Sequence, residues 1–138
     1  MPVARLSVVV FSGAFDRVHY ALAMAAAALA ANQPATLFFT MGGCRALARR
    51  RDDGCPGWHA LDGEAASADA ALRAKGLAGF ADLLEACVAL GATLMVCEMG
   101  LKAIGLGLDD LDPALIVSPG GLVTFLADAS PDGAMVFV

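Results

Sequence analysis

Residues 92–106 read Ala-Thr-Leu-Met-Val-Cys97-Glu-Met-Gly100-Leu-Lys102-Ala-Ile-Gly-Leu106, and this stretch decides the fold. A run of apolar and β-branched residues stops at Cys97, and a helical pattern follows at once. That is the pattern of a strand running into a helix, with a thiol at the junction. Ligands and reactive groups of α/β proteins collect outside the carboxyl ends of parallel strands. A helix start there offers unpaired N–H groups and a partial positive charge, which favour the thiolate, so Cys97 is expected to ionise below the free value of about 8.5. Two readings of Cys97 stand side by side: a sulfur nucleophile or carrier open to water, or a small buried hydrophobe.

Upstream of this stretch, Phe80, Leu83, Leu84, Cys87 and Leu90 recur at helical spacing, predicting a helix from about Gly79 to Leu90 with Cys87 inert on its apolar face. Gly91 is placed as its C-terminal cap. Ser67 to Lys75 predicts a shorter polar-faced helix, and residues 51–63, rich in Gly, Pro and Asp, a loop. Ala35 to Met41 reads as a strand ending in Gly42-Gly43-Cys44, with a helix from about Cys44 to Arg50. At the start, Leu6 to Phe11 is a buried strand broken by Ser12-Gly13. An alanine-rich helix then runs from about Asp16 to Ala31 and stops before Pro34. Downstream, Glu98 to Leu106 is a helix, residues 107–113 a solvated turn, and Ala114 to Val117 a fourth strand broken by Ser118-Pro119-Gly120-Gly121. Leu122 to Ala129 is a helix and Ala134 to Val138 a final strand. This alternation predicts an α/β fold with a mostly parallel sheet of about five strands, covered on both faces, in one domain over residues 1–138.

Composition narrows the function classes. Hydrophobic content is 59% with a mean hydropathy of +0.70, both inflated by alanine. The longest apolar stretch, residues 18–31, contains His19 and Tyr20 and falls short of the roughly 20 apolar residues of a spanning helix. The opening residues only imitate a signal peptide, and a cytoplasmic, membrane-free protein is expected. A net charge of −5 argues against nucleic acid. Arg45, Arg49, Arg50 and Arg51 form one basic cluster: either a solvated helix end suited to the C-terminal dipole, or a dock for an acidic partner or anion. The thin polar faces of the helices predict self-association into a homo-oligomer.

The breaks after the strands fall on one edge of the sheet. They suggest a shallow anion site of main-chain N–H groups (Ser12, Gly13, Gly42, Gly43, Met99 and Gly100) with one or two thiols. Gly-x-Gly-x-x-Gly after the first strand, a phosphate loop and a nucleophile elbow are all missing from the sequence, which argues against dinucleotide binding, nucleotide hydrolysis and serine hydrolase chemistry. Four cysteines (Cys44, Cys55, Cys87 and Cys97) in a chain of this length do not suggest a disulfide scaffold. Cys55 and His59 form a Cys-x3-His pair, but Cys44 and Cys97 stand apart in sequence, so no metal site is expected. Cys44 is a possible second thiol to Cys97 if their strands are neighbours. His19, early in the first helix, either assists proton transfer or is a packing residue. Glu98, beside Cys97, opposes thiolate formation.

The opening strand followed by Ser12-Gly-Ala-Phe-Asp16, the alanine-rich helix, Leu37-Phe-Phe-Thr-Met-Gly42, and Gly91 to Leu106 with Cys97-Glu-Met-Gly-Leu-Lys-Ala-Ile-Gly-Leu106 together resemble the DsrE/DsrF-like family of small sulfur-relay proteins. The resemblance implies a three-layer α/β/α fold, oligomers, no organic cofactor, and sulfane sulfur carried as a persulfide on Cys97 between donor and acceptor proteins. It also implies that the second and third strands are adjacent, bringing Cys44, which lies outside the family pattern, near Cys97.

Overall fold

The computed structural model describes residues 4–129 and 131–138. One all-parallel sheet carries β1 (Leu6–Val10), β2 (Ala35–Phe39), β3 (Thr93–Cys97), β4 (Ser118–Gly120) and β5 (Ala134–Phe137), in spatial order β4-β3-β2-β1-β5. Among the described residues five α-helices accompany it: α1 (Phe15–Ala30), α2 (Ala65–Ala74), α3 (Phe80–Ala89), α4 (Glu98–Ala103) and α5 (Leu122–Asp128). The three-layer arrangement expected from the sequence is present, with helices on both sides of the sheet.

Register sorts the strands' side chains between two faces, because successive residues point opposite ways. Val8, Val10, Leu37, Phe39, Leu94 and Val96 share the first face and its large core, with Val18, Leu22 and Ala25 of α1 and Phe80 and Cys87 of α3. Val9, Phe38, Met95 and Cys97 occupy the second face and form a small buried cluster with Phe125 of α5. Handedness explains the imbalance. The chain steps in one direction from β1 through β2 and β3 to β4, then returns across the whole sheet to β5. Right-handed crossovers put outgoing connections on one face and the return on the other. The return must span four strand spacings, about 19 Å at roughly 4.8 Å each. The helix on that return, α5, has only seven residues, so little of the second face can be covered.

Local chemistry fixes the element ends. Gly91, at φ +90°, takes the left-handed position after α3 that favours glycine. The buried carboxylate of Asp69 on α2 accepts from the Phe80 N–H at 2.7 Å, and Asp82 accepts from the Gly79 N–H at 3.1 Å. Both satisfy donors at the start of α3.

Several expectations are corrected. The fourth strand is not Ala114–Val117 but Ser118–Gly120; Asp112 and Pro113 turn the chain, Leu115 N–H bonds back to the Asp112 carbonyl, and Ile116 stands 91% exposed. Pro119 within β4 is tolerated because the strand lies at the edge of the sheet. Residues expected as a helix from Cys44 to Arg50 form a 3-10 turn at Met41–Leu47, so Arg49, Arg50 and Arg51 belong to a loop and not to a helix end. The loop at 51–63 contains a second 3-10 turn, Gly57–Ala60, which buries Trp58 against Phe80 with ring centroids 4.7 Å apart.

A candidate thiol site at the carboxyl edge of the sheet

Cys97 is the last residue of β3 and the N-cap of α4, with φ −82° and ψ 116°. Its sulfur accepts a hydrogen bond from the Gly100 N–H at 3.4 Å. A thiol here takes the place usually held by a Ser or Asp oxygen, which satisfies a donor in the first helical turn. Close approach makes this possible: a Cβ on Gly100 would lie 2.3 Å from the Thr40 hydroxyl oxygen and 2.5 Å from the Met41 nitrogen. Only glycine lets α4 sit this tightly on the chain leaving β2. Glu98 and Met99 of the same turn face solvent.

Of the two surroundings read for this thiol, open to water or buried, the structure has the buried one. Cys97 is only 2% exposed, within the second-face cluster of Val9, Phe38, Met95 and Phe125. Phe125 stacks on Phe38 with ring centroids 4.6 Å apart, and α5 roofs this part of the sheet. Gly120 pairs with Cys97 across the β3–β4 ladder, immediately before α5 begins.

Cys44 sits in the 3-10 turn after β2, fully buried in the first-face core. Because β2 and β3 are neighbours and the 3-10 turn packs against α4, the two cysteines share this edge of the sheet while their surroundings belong to opposite faces. Burial pushes the Cys44 thiol up to about 12; proximity to Cys97 adds to this, while its own backbone hydrogen bond and the Arg45 guanidinium oppose it. Cys44 is therefore a neutral thiol at physiological pH. Cys87 is likewise pushed up to about 11 by burial and donates to the Leu22 carbonyl at 3.4 Å, as a packed core thiol would.

The remaining predicted groups separate. His19 pairs through Nε2 with the Ala78 carbonyl at 3.0 Å and stacks on Phe15, with ring centroids 5.6 Å apart. Phe15 belongs to the first-face core, so the imidazole is engaged away from the Cys97 cluster. Of the suggested anion-binding amides, Ser12 N–H is taken by the Val138 carbonyl and Gly43 N–H by those of Phe11 and Thr40. Gly13 and Gly42 do come together: a Cβ on Gly42 would lie 2.8 Å from the Gly13 nitrogen. Sequence reasoning grouped Arg45 with Arg49, Arg50 and Arg51; its guanidinium lies against this glycine pair, and its placement inside a 3-10 turn gave no periodic signal to set it apart. Cys55 is half-buried beside the loop and His59 packs edge-on to Trp58. Among the described residues, no cluster of three or more His, Cys, Asp or Glu side chains could hold a metal ion, and no helix is long and apolar enough to cross a membrane.

Comparison with known proteins places this geometry. The chain is similar to ychN protein from E. coli, at 18% identity over 96% of this chain and 97% of that one, with a TM-score of 0.57. It is also similar to MTH1491, a protein of unknown function from Methanobacterium thermoautotrophicum, at 15% identity over 97% and 98% of the two chains, with a TM-score of 0.55. At these identities the likeness establishes the fold. No curated protein matches the chain. The sequence pattern of the DsrE/DsrF-like family matches residues 6–136, nearly the whole length, and the chain belongs to that family.

Proposed function

We propose that this protein relays sulfur, with Cys97 as the carrier. The Cys97 thiolate attacks the outer sulfur of a donor persulfide; a new S–S bond forms at Cys97, the donor's S–S bond breaks, and the donor thiolate leaves with the electron pair. An acceptor thiolate then attacks the outer sulfur, and Cys97 leaves as thiolate. The observation that carries this reading is the Cys97 sulfur capping α4, held by the Gly100 N–H, in a chain of the DsrE/DsrF-like family. That family suggests a sulfur-relay role and partners of the relay type. The specific donors and acceptors, cytoplasmic residence and self-association belong to the proposal. Self-association is supported by Phe11, Met135 and Phe137, which leave an apolar strip exposed on the second face.

Transfer to another protein's thiol requires the sulfur to be reached, and the closed cluster around it requires α5 to lift. Cys44, kept protonated by burial, is a second thiol that takes no step in the transfer as written. The mechanism also assigns no step to His19, whose ring is held by Ala78 and Phe15.

The test is intact mass spectrometry after incubation with a persulfide donor, followed by peptide mapping. A one-sulfur mass gain confined to Cys97, lost in Cys97→Ser with the fold retained, is the expected outcome. Undiminished loading of Cys97→Ser would sink the proposal. The burial of Cys97 favours a second reading, an oligomeric adaptor in which this cysteine only packs. Under it, thiol reagents label Cys97 no faster than the core residue Cys87.

A further inference from the structure

We infer that Arg45 and the main-chain N–H of Gly13 form a binding site for a small oxyanion at the carboxyl edge of β1 and β2. The four clustered arginines of the sequence have different fates. Arg49 donates to the Asp109 carbonyl, Arg50 to the Gly54 carbonyl, and Arg51 pairs with Asp53 at 3.4 Å, all on the exposed loop. Arg45 is half-buried instead, and its Nη1 lies 3.0 Å from where a Cβ on Gly13 would stand and 3.5 Å from where one on Gly42 would. Among the described residues, no carboxylate lies within 4.0 Å of its guanidinium nitrogens and no acceptor takes a hydrogen bond from them. Asp62 has its backbone against Gly13, donating to the Gly13 carbonyl at 2.8 Å, yet its exposed carboxylate does not pair with Arg45.

A partly desolvated cation without a counter-charge is unfavourable unless an anion joins it. The main chain supplies a matching donor. The amides on either side of Gly13 are taken, Ser12 N–H by the Val138 carbonyl and Ala14 N–H by the Ser12 hydroxyl at 3.1 Å. The Gly13 N–H has no acceptor among the described residues. Gly42 packs closely on that nitrogen, since a Cβ there would sit 2.8 Å from it and only glycine, which has none, fits. A planar guanidinium fork beside an unpaired amide suits an oxyanion, to which charge-assisted bonds are short and strong. The field of Arg45 also reaches the neighbouring thiol, acting to lower Cys44 against the larger effect of burial. An anion seated there would lie on the same edge of the sheet as Cys44 and Cys97. The site does not depend on the relay reading.

The probe is inorganic sulfate, titrated at low ionic strength into isotope-labelled Cys97→Ser protein, which cannot load sulfur at that residue, while the Gly13 amide resonance is followed. A saturable shift of that resonance is expected. Arg45→Gln should weaken binding about tenfold or more, the loss of one charge-assisted pair. Arg45→Lys should retain part of it, and Arg49→Gln/Arg50→Gln/Arg51→Gln together should leave it unchanged. Gly42→Ala, which keeps every charge but forces a methyl group against the amide, should weaken it as well. A shift that does not saturate, equal binding by Arg45→Gln, or loss of binding in the triple variant with Arg45 intact would each overturn the site. Because Arg45→Lys and the triple variant leave the glycine pair untouched, the site can be refuted even if Arg45→Gln does not fold.

Discussion

The two faces of the sheet are built from the same strands and closed to very different depths. On the first face, α1, α2 and α3 bury Phe15, Leu22, Phe39, Phe80 and Cys44 in one continuous core. On the second, one seven-residue helix contributes one ring, Phe125, while Phe137 remains 69% exposed on the adjoining edge strand. The first face therefore carries the stability of the fold, and the second, where Cys97 lies, can open at low cost. Local opening of this kind is expected where few apolar contacts close a segment. Cys97 is thus sheltered by the more thinly covered of the two faces.

The largest test of this contrast compares two phenylalanines that are both essentially fully buried. Phe80 rings meet Phe15 at 5.8 Å and Trp58 at 4.7 Å, so Phe80→Ala should cost about 3–5 kcal/mol in global stability by urea unfolding. Phe125→Ala should cost less, about 1–3 kcal/mol, because α5 can detach without unfolding the rest. Its signature should be local: labelling of Cys97 by a thiol reagent speeds up about tenfold or more, each tenfold reflecting about 1.4 kcal/mol of closing energy removed, while Cys87 labelling is unchanged. Equal global losses with no change at Cys97 would show that α5 is part of the main core.

How far this asymmetry could be read from the chain depends on which residues carry it. Leu6–Val10, Ala35–Phe39 and Thr93–Cys97 are predominantly apolar runs, each with a single hydroxyl residue, because central parallel strands are buried on both sides, and they were legible with their ends almost correct. The strand–helix junction at Cys97 was equally plain. Ser118–Gly120 was not, since an edge strand of three residues containing proline has neither length nor periodicity to announce it. The closed state of Cys97 was hidden for a different reason. It depends on α5 folding back from the far edge of the sheet, a non-local consequence of strand order that no window of sequence contains. Arg45 was grouped with Arg49, Arg50 and Arg51 because a 3-10 turn preserves no helical face by which to separate it.

Alkaline pH sharpens the contrast from the first face. Cys44 and Cys87 have ordinary values of 9.0 and are pushed up to about 12 and about 11 in the fold by burial. The folded chain keeps these protons where the unfolded chain releases them, so stability is level below about pH 9 and falls as pH rises through about 11 and about 12. The slope contributed by each thiol is at most about 1.4 kcal/mol per pH unit. Ionised Cys87 would also lose its donation to the Leu22 carbonyl. Urea midpoints of Cys44→Ala/Cys87→Ala should therefore fall less steeply with alkalinity than those of the parent. Parallel curves would mean that the two thiols do not titrate within the folded core.

The smallest effect concerns the outer surface of α5. Val123 is 83% exposed, and Leu122 and Leu126 of the same helix also face outward. In a lone chain Val123→Ser removes no buried contact and should change stability by no more than about 0.5 kcal/mol. If a second copy covers this face, the same substitution would weaken association, and the apparent stability would depend on protein concentration. Unfolding measured over a wide dilution series separates the cases. A concentration-independent difference near zero leaves α5 a free lid over Cys97. A difference that grows with concentration makes self-association the lock that holds the lid shut, so that access to the sulfur would follow assembly and not the intrinsic stability of a seven-residue helix.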